Sequence, residues 1–169
     1  MRQRDDLAKI CERVLSRPRL FLALGITGLC SSVYIAAVFC AVIISMAVSG
    51  AWSEAVIFAL MGAIPFLAVS LMRELLDLPR PYEVFRGEAF TKLKNERKAG
   101  RSFPSRHVFS AFLIGTLVAF VSMPIGLTVL VLGFLMGIER VLRGIHFPVD
   151  VIVGAVIGTV SGVVGGLIL

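Results

Sequence analysis

Only two of the 169 residues are histidine, His107 and His146, and both sit beside arginines in an otherwise apolar chain. His146 precedes Asp150 by four positions, with Pro148 between them. Proline is at home in the first turn of a helix, so Pro148 can open one. Asp150 is then the third helical residue, and its carboxylate can fold back toward the residues before the helix, where His146 lies. A carboxylate bonded to one ring nitrogen fixes the imidazole tautomer and leaves the other nitrogen as a nucleophile.

His107 closes the segment "PSRH", at the mouth of a run without Asp, Glu, Lys or Arg until Glu139. Ser105 is the expected N-cap of the helix that starts here, and the free N–H groups of its first turn form an anion seat. Arg106 and Ser105 help to hold an anion, and His107 stands beside it to give a proton. Arg73, Arg80 and Arg140 add forked donors that match phosphate oxygens. Singly, each segment has a plainer reading: arginines meeting headgroups, an interfacial histidine, a first-turn acid favoured by the helix dipole. Their concurrence points to one site.

The elements that must position these residues belong to a membrane protein. The chain is 57% hydrophobic, with a mean hydropathy of +0.92, far above a soluble domain of this length. We expect an all-α integral-membrane bundle of about five transmembrane helices plus an N-terminal amphipathic helix. In residues 1–18 the apolar positions Leu7, Ile10, Cys11, Val14 and Leu15 form one helical stripe, which suits a helix lying in the membrane interface. Residues 19–169 form a single domain. Its spans run from Pro18 to about Ser49, from Ser53 to about Leu78 with a kink at Pro65, from Ser105 to Ser122, from Pro124 to Arg143, and from Pro148 onward. A single helix over 105–143 would be about 58 Å long, twice the hydrocarbon core, so Pro124 must divide it. The uncharged stretch after Arg19 is too long for a signal peptide. The charged interlude, residues 79–104, carries a short amphipathic helix around Glu88–Lys98. The three cysteines show no metal or redox spacing. Gly154, Gly158, Gly162 and Gly166 form a smooth stripe on the last helix, for close packing inside the bundle or for a homodimer.

Five spans put residues 1–19, 73–106 and 139–150 on one side of the membrane, and those segments contain all 17 lysines and arginines. The positive-inside rule then places this face, and the site, in the cytoplasm of a multi-pass cell (inner) membrane protein.

With these residues set out, the chain resembles the type-2 phosphatidic acid phosphatase family, the lipid phosphate phosphatase and vanadium haloperoxidase superfamily. The family's motifs are Lys-x6-Arg-Pro, Pro-Ser-Gly-His and Ser-Arg-x5-His-x3-Asp. Here they stand as Arg73-x6-Arg80-Pro81, Pro104-Ser105-Arg106-His107 and Glu139-Arg140-x5-His146-x3-Asp150, a motif core over residues 73–150. The resemblance implies a metal-free, cofactor-free phosphoryl transfer in two steps. His146 would attack phosphorus to give a phosphohistidine, Asp150 would orient it, and His107 would protonate the leaving oxygen and later activate water. Arg73, Arg80, Ser105, Arg106 and Arg140 would bind the phosphate. Three departures stand out: Arg73 for Lys, Glu139 for Ser, and Arg106 for Gly. Arg106 or Arg143 could meet a second phosphate or a headgroup.

The implied substrate is a lipid phosphate entering sideways from the bilayer among membrane lipids: a polyprenyl phosphate or diphosphate, a polyprenyl-phosphoryl sugar phosphate, phosphatidylglycerophosphate or phosphatidic acid. No nucleic-acid partner is expected. Bacterial relatives that recycle undecaprenyl diphosphate often face outward, against the charge count. Two other readings compete: a membrane transporter, which needs ionisable groups within the spans, and a non-catalytic lipid-binding protein of the same fold, which would dispense with a histidine or the aspartate.

Overall fold

Prolines and glycines set most of the helix boundaries. The computed structural model describes residues 2–97 and 99–169, and among these the chain is helical and free of strands. The helices are α1 (Arg2–Leu15), α2 (Pro18–Val48), α3 (Trp52–Leu76), α4 (Pro81–Val84), α5 (Glu88–Glu96), α6 (Arg106–Val121), α7 (Met123–Leu142) and α8 (Pro148–Ile168). Proline occupies the first turn of α2, α4, α7 and α8, where its missing N–H would have had no partner anyway. Pro65 lies inside α3. That helix ends two residues sooner than Pro79 would require, because Asp77 turns left-handed at φ 38° and its N–H closes on the Arg73 carbonyl. Gly144, at φ 63°, ends α7.

α2, α3, α7 and α8 are long and apolar enough to cross a membrane. Their outer faces expose Leu29, Val33, Leu67, Phe134 and Val160, the surface a bilayer solvates. The expected third span is shorter than the others. With 16 residues, α6 rises about 24 Å against a hydrocarbon core of about 30 Å. It is also the central element, touching α2, α3, α7 and α8. Val108, Phe109, Ala111, Leu113, Leu117 and Val118 on it are each at most 1% exposed. Phe109, Leu113, Leu117 and Val118 join Phe58 and Val69 of α3 in the main apolar cluster.

The glycine stripe explains how α8 seats against α6. A Cβ on Gly154 would stand 2.8 Å from the Ser105 carbonyl oxygen, and one on Gly162 would stand 2.9 Å from that of Leu113. Gly158 meets the Phe109 carbonyl in the same way, and Gly166 meets the Phe120 ring. The stripe is therefore taken up inside the bundle, against α6.

At the end where α6 and α8 begin, α4, α5 and the flanking loops form a polar cap, and α1 lies against it. Cys11 packs with Tyr82, Phe90 and Leu93, joined by Leu7 and Leu15 of the same stripe. The Cys11 thiol donates to the Val141 carbonyl at 3.2 Å. Much of the stripe is thus covered by protein, while Ile10 stays 46% exposed. Of the other cysteines, Cys30 and Cys40 are exposed on α2.

Gly158→Val forces a branched side chain into the α6 backbone. We expect a loss of about 1–3 kcal/mol or more, read as a lowered melting temperature in detergent, whereas Val156→Ala on the outer face leaves melting nearly unchanged. Equal melting of the two variants would contradict this packing.

Candidate active site

The end of α7 folds so that His146 returns toward Arg140. After Gly144, the N–H groups of Ile145 and His146 both point back to the Arg140 carbonyl, at 3.0 and 3.3 Å. Pro148 then opens α8, and the Phe147 N–H donates to Asp150 Oδ2 at 2.9 Å. This is the fold-back expected from the Pro148–Asp150 spacing. It brings Asp150 Oδ2 to 3.5 Å from His146 Nδ1, an electrostatic contact longer than a hydrogen bond. The same oxygen accepts a 2.6 Å hydrogen bond from the Ser102 hydroxyl. The Asp150 backbone carbonyl accepts the Ser105 N–H at 2.9 Å. His146 and Asp150 are 2% and 3% exposed.

Burial pushes the His146 imidazole down to about pKa 4, and the positive charges of Arg80 and Arg73 push the same way, while Asp150 partly opposes them. The ring is therefore neutral at pH 7. With the carboxylate beside Nδ1, the proton is favoured on that nitrogen, which leaves the Nε2 lone pair open.

Both histidines border one cavity of about 380 Å³. Arg140, Arg106, Arg80 and Arg73 stand in its wall, so the structure brings together three segments separated by 26 positions or more in sequence. The arginines do not serve alike. Arg73 is buried, and its guanidinium donates to the carbonyls of Arg101, Ser102 and Pro104. Arg80 donates to the carbonyls of Gly100, Ile145 and Arg101 at 2.8, 3.4 and 3.3 Å. These two tie the 100–104 loop to the ends of α3 and α7 while lending the cavity their charge. Among the described residues Arg106 makes no such bond; its guanidinium lies 5.5 Å from the Phe66 ring centre.

Ser105 is the expected N-cap of α6, but without a side-chain capping bond, and its buried hydroxyl has no hydrogen-bond partner among the described residues. It does not border the cavity. The anion seat at this helix start is left to the N–H groups of the first turn. Arg143 also departs: it is 8% exposed, pairs with Glu139 at 2.5 Å, and lies 4.5 Å over the Phe21 ring centre, away from the cavity wall.

Further residues belong to the site that no motif marked. Ser102 buttresses Asp150 from 48 positions away. Arg97, just past α5, joins the wall with Glu96. The stretch "SFPSRH" contains Ser102, but nothing in it distinguishes a buttress from a turn residue. Among the described residues no group of three His, Cys, Asp or Glu side chains is placed to hold a metal ion.

Nitrogen-15 NMR of His146 in detergent should show titration near pH 4, well under the usual 6.5. Because the folded state disfavours the protonated ring, stability is full above about pH 6.5 and falls as the pH drops toward 4. A His146 titration at or above 6.5 contradicts the buried, arginine-flanked setting.

Comparisons with known proteins bear on the family and the fold. The family model of the PAP2 superfamily matches residues 19–165. The bacitracin transport permease protein BcrC of Bacillus licheniformis is 42% identical over 60 residues, 36% of this chain and 30% of that protein. The chain thus matches under a third of that relative's length. The crystal structure of LpxE from Aquifex aeolicus superimposes with a TM-score of 0.67 at 23% identity, covering 93% of this chain and 92% of that one. That of a transmembrane PAP2 type phosphatidylglycerolphosphate phosphatase from Bacillus subtilis gives 0.74 at 17% identity, covering 97% and 84%. At those identities the two structures establish a common fold. The family match over most of the chain, on a bundle that carries both histidines to one arginine-walled cavity, makes this multi-pass membrane protein a member of the PAP2 superfamily.

Proposed function

We propose that the protein is a membrane lipid phosphatase working through a phosphohistidine. One observation carries this reading. The arginine-walled cavity adjoins an apolar groove of about 440 Å³ between α2, α3 and α6, and Arg106 and His107 line both. Ile35, Phe39, Phe66 and Ile114 line the groove. A lipid whose chain lies in the groove presents its phosphate to Arg106, His107 and His146. It reaches that position from the bilayer without leaving it.

In the reaction, Nε2 of His146 forms a bond to phosphorus as the bond to the leaving oxygen breaks, and His107 gives that oxygen its proton. Water then attacks the phosphohistidine, passing a proton to His107, and phosphate departs with the nitrogen lone pair restored. Asp150 balances the positive charge that develops on the His146 ring. Arg140 and Arg106, together with the first-turn N–H groups of α6, hold the equatorial oxygens, where charge accumulates in the transition state. No step calls for a metal or cofactor.

Substrates that fit are isoprenoid phosphates and diphosphates, a polyprenyl-phosphoryl sugar phosphate, phosphatidylglycerophosphate and phosphatidic acid. The substrate named for the Bacillus subtilis phosphatase lies within that range. The charge distribution supports an active site on the cytoplasmic face of the cell membrane, since every lysine and arginine lies in the segments at the site's end of the helices. The transport named for the Bacillus licheniformis relative supports a second reading. Protein in detergent, with no compartments to transport between, separates the two by releasing phosphate or failing to.

His146→Ala should reduce phosphate release from a panel of polyprenyl and glycerol lipid phosphates by at least about a thousandfold, with unchanged melting. Retained turnover removes the nucleophile from the scheme. Orthovanadate, a mimic of five-coordinate phosphorus, should inhibit and EDTA should not; EDTA sensitivity would contradict the metal-free steps. For sidedness, single cysteines replace Lys94 or Trp52 in a background lacking Cys11, Cys30 and Cys40. An impermeant maleimide applied to intact cells should reach position 52 alone.

A further inference from the structure

Glu139 occupies the last turn of α7 with 4% of its surface exposed. A carboxylate so buried is costly unless cations meet it, and two do, one at each oxygen. Arg143 NH1 lies 2.5 Å from Oε1, and Arg140 Nε lies 3.2 Å from Oε2. Both Oε2 and the Arg140 Nε are buried without a hydrogen-bond partner among the described residues, so this ionic contact is the one that each has. Arg140 also stands in the wall of the His146 cavity.

The other flank of Glu139 is α2. A Cβ on Gly28 would stand 2.8 Å from Glu139 Oε2, and one on Gly25 would stand 3.1 Å from Arg143 NH2. Two small residues, one turn apart, thus form a recess for the Glu139–Arg143 pair, and the Phe21 ring under the Arg143 guanidinium closes it.

We propose that Glu139 is a positioning residue: anchored by Arg143 and seated on the glycine face of α2, its carboxylate holds Nε of Arg140 so that the terminal amino groups of Arg140 face the phosphate as a fixed fork. A guanidinium is planar, so fixing its Nε edge sets the direction of both terminal nitrogens. Where the family's usual serine would offer one neutral hydroxyl, Glu139 offers a charged carboxylate that meets Arg140 and Arg143 together. The proposal rests on the cavity being the phosphate site.

The test is orthovanadate inhibition of phosphate release in detergent, with melting measured alongside. The double variant E139M/R143M deletes the buried pair without leaving an orphan charge, so it preserves folding. With Arg140 present, this variant should raise the vanadate Ki about tenfold; in an Arg140→Ala background it should change Ki less than twofold. Equal rises in both backgrounds show a general structural role and overturn the proposal, as does no rise in the first. Gly28→Ala, on another helix, gives a second probe. It should raise Ki where Glu139 is present and not in a Glu139→Ala background; any other pattern counts against the seat. If Arg140→Ala alone changes neither phosphate release nor vanadate inhibition, it is the reading of the cavity as a phosphate site that fails.

Discussion

One carboxylate oxygen, Oδ2 of Asp150, gathers three parts of the chain. It takes the Ser102 hydroxyl from the loop before α6, the Phe147 N–H from the start of α8, and the proximity of His146 from the end of α7. A buried charge left without such partners would be expensive. Satisfying it therefore forces these segments together in one arrangement, and that arrangement is the site. The Asp150 carbonyl adds a fourth tie by accepting the Ser105 N–H, so the starts of α6 and α8 are bound side by side.

That junction needs the two helices to approach closely, and the glycines of α8 permit it. Without them, side chains would hold α8 away from the Ser105 and Phe109 carbonyls, and Ser105 could not reach Asp150. The same logic operates between α2 and α7, where Gly25 and Gly28 admit an ion pair rather than backbone. Close helix packing thus sets the junctions that these titratable groups share.

Much of this was legible in the sequence, and the remainder was hidden for physical reasons. Helix boundaries followed proline and glycine, which act locally. The His146–Asp150 relation was legible because both lie within five residues and one helix start. Ser102 escaped because its partner is far along the chain and its segment has no periodicity to mark a buried side. The shortness and central place of α6 were not legible, because composition cannot tell a lipid-facing helix from one wrapped by its neighbours. The apolar stripe of α1 is real, but its cover by Tyr82, Phe90 and Leu93 is a tertiary matter. The basic residues were counted in the sequence, but which guanidinium groups are also held by backbone carbonyls depends on a loop that leaves no trace in spacing.

Arg73 is one of the guanidinium groups that face carbonyls. Its forked head reaches three of them on a single strap of backbone, so at this position shape matters beyond sign. An ammonium group keeps the charge but gathers its donors at a point, and would release part of the strap that frames the mouth. Sequence surveys that treat the two basic residue types as interchangeable would score such a change as silent, while the architecture of the opening shifted beneath an unaltered electrostatic tally.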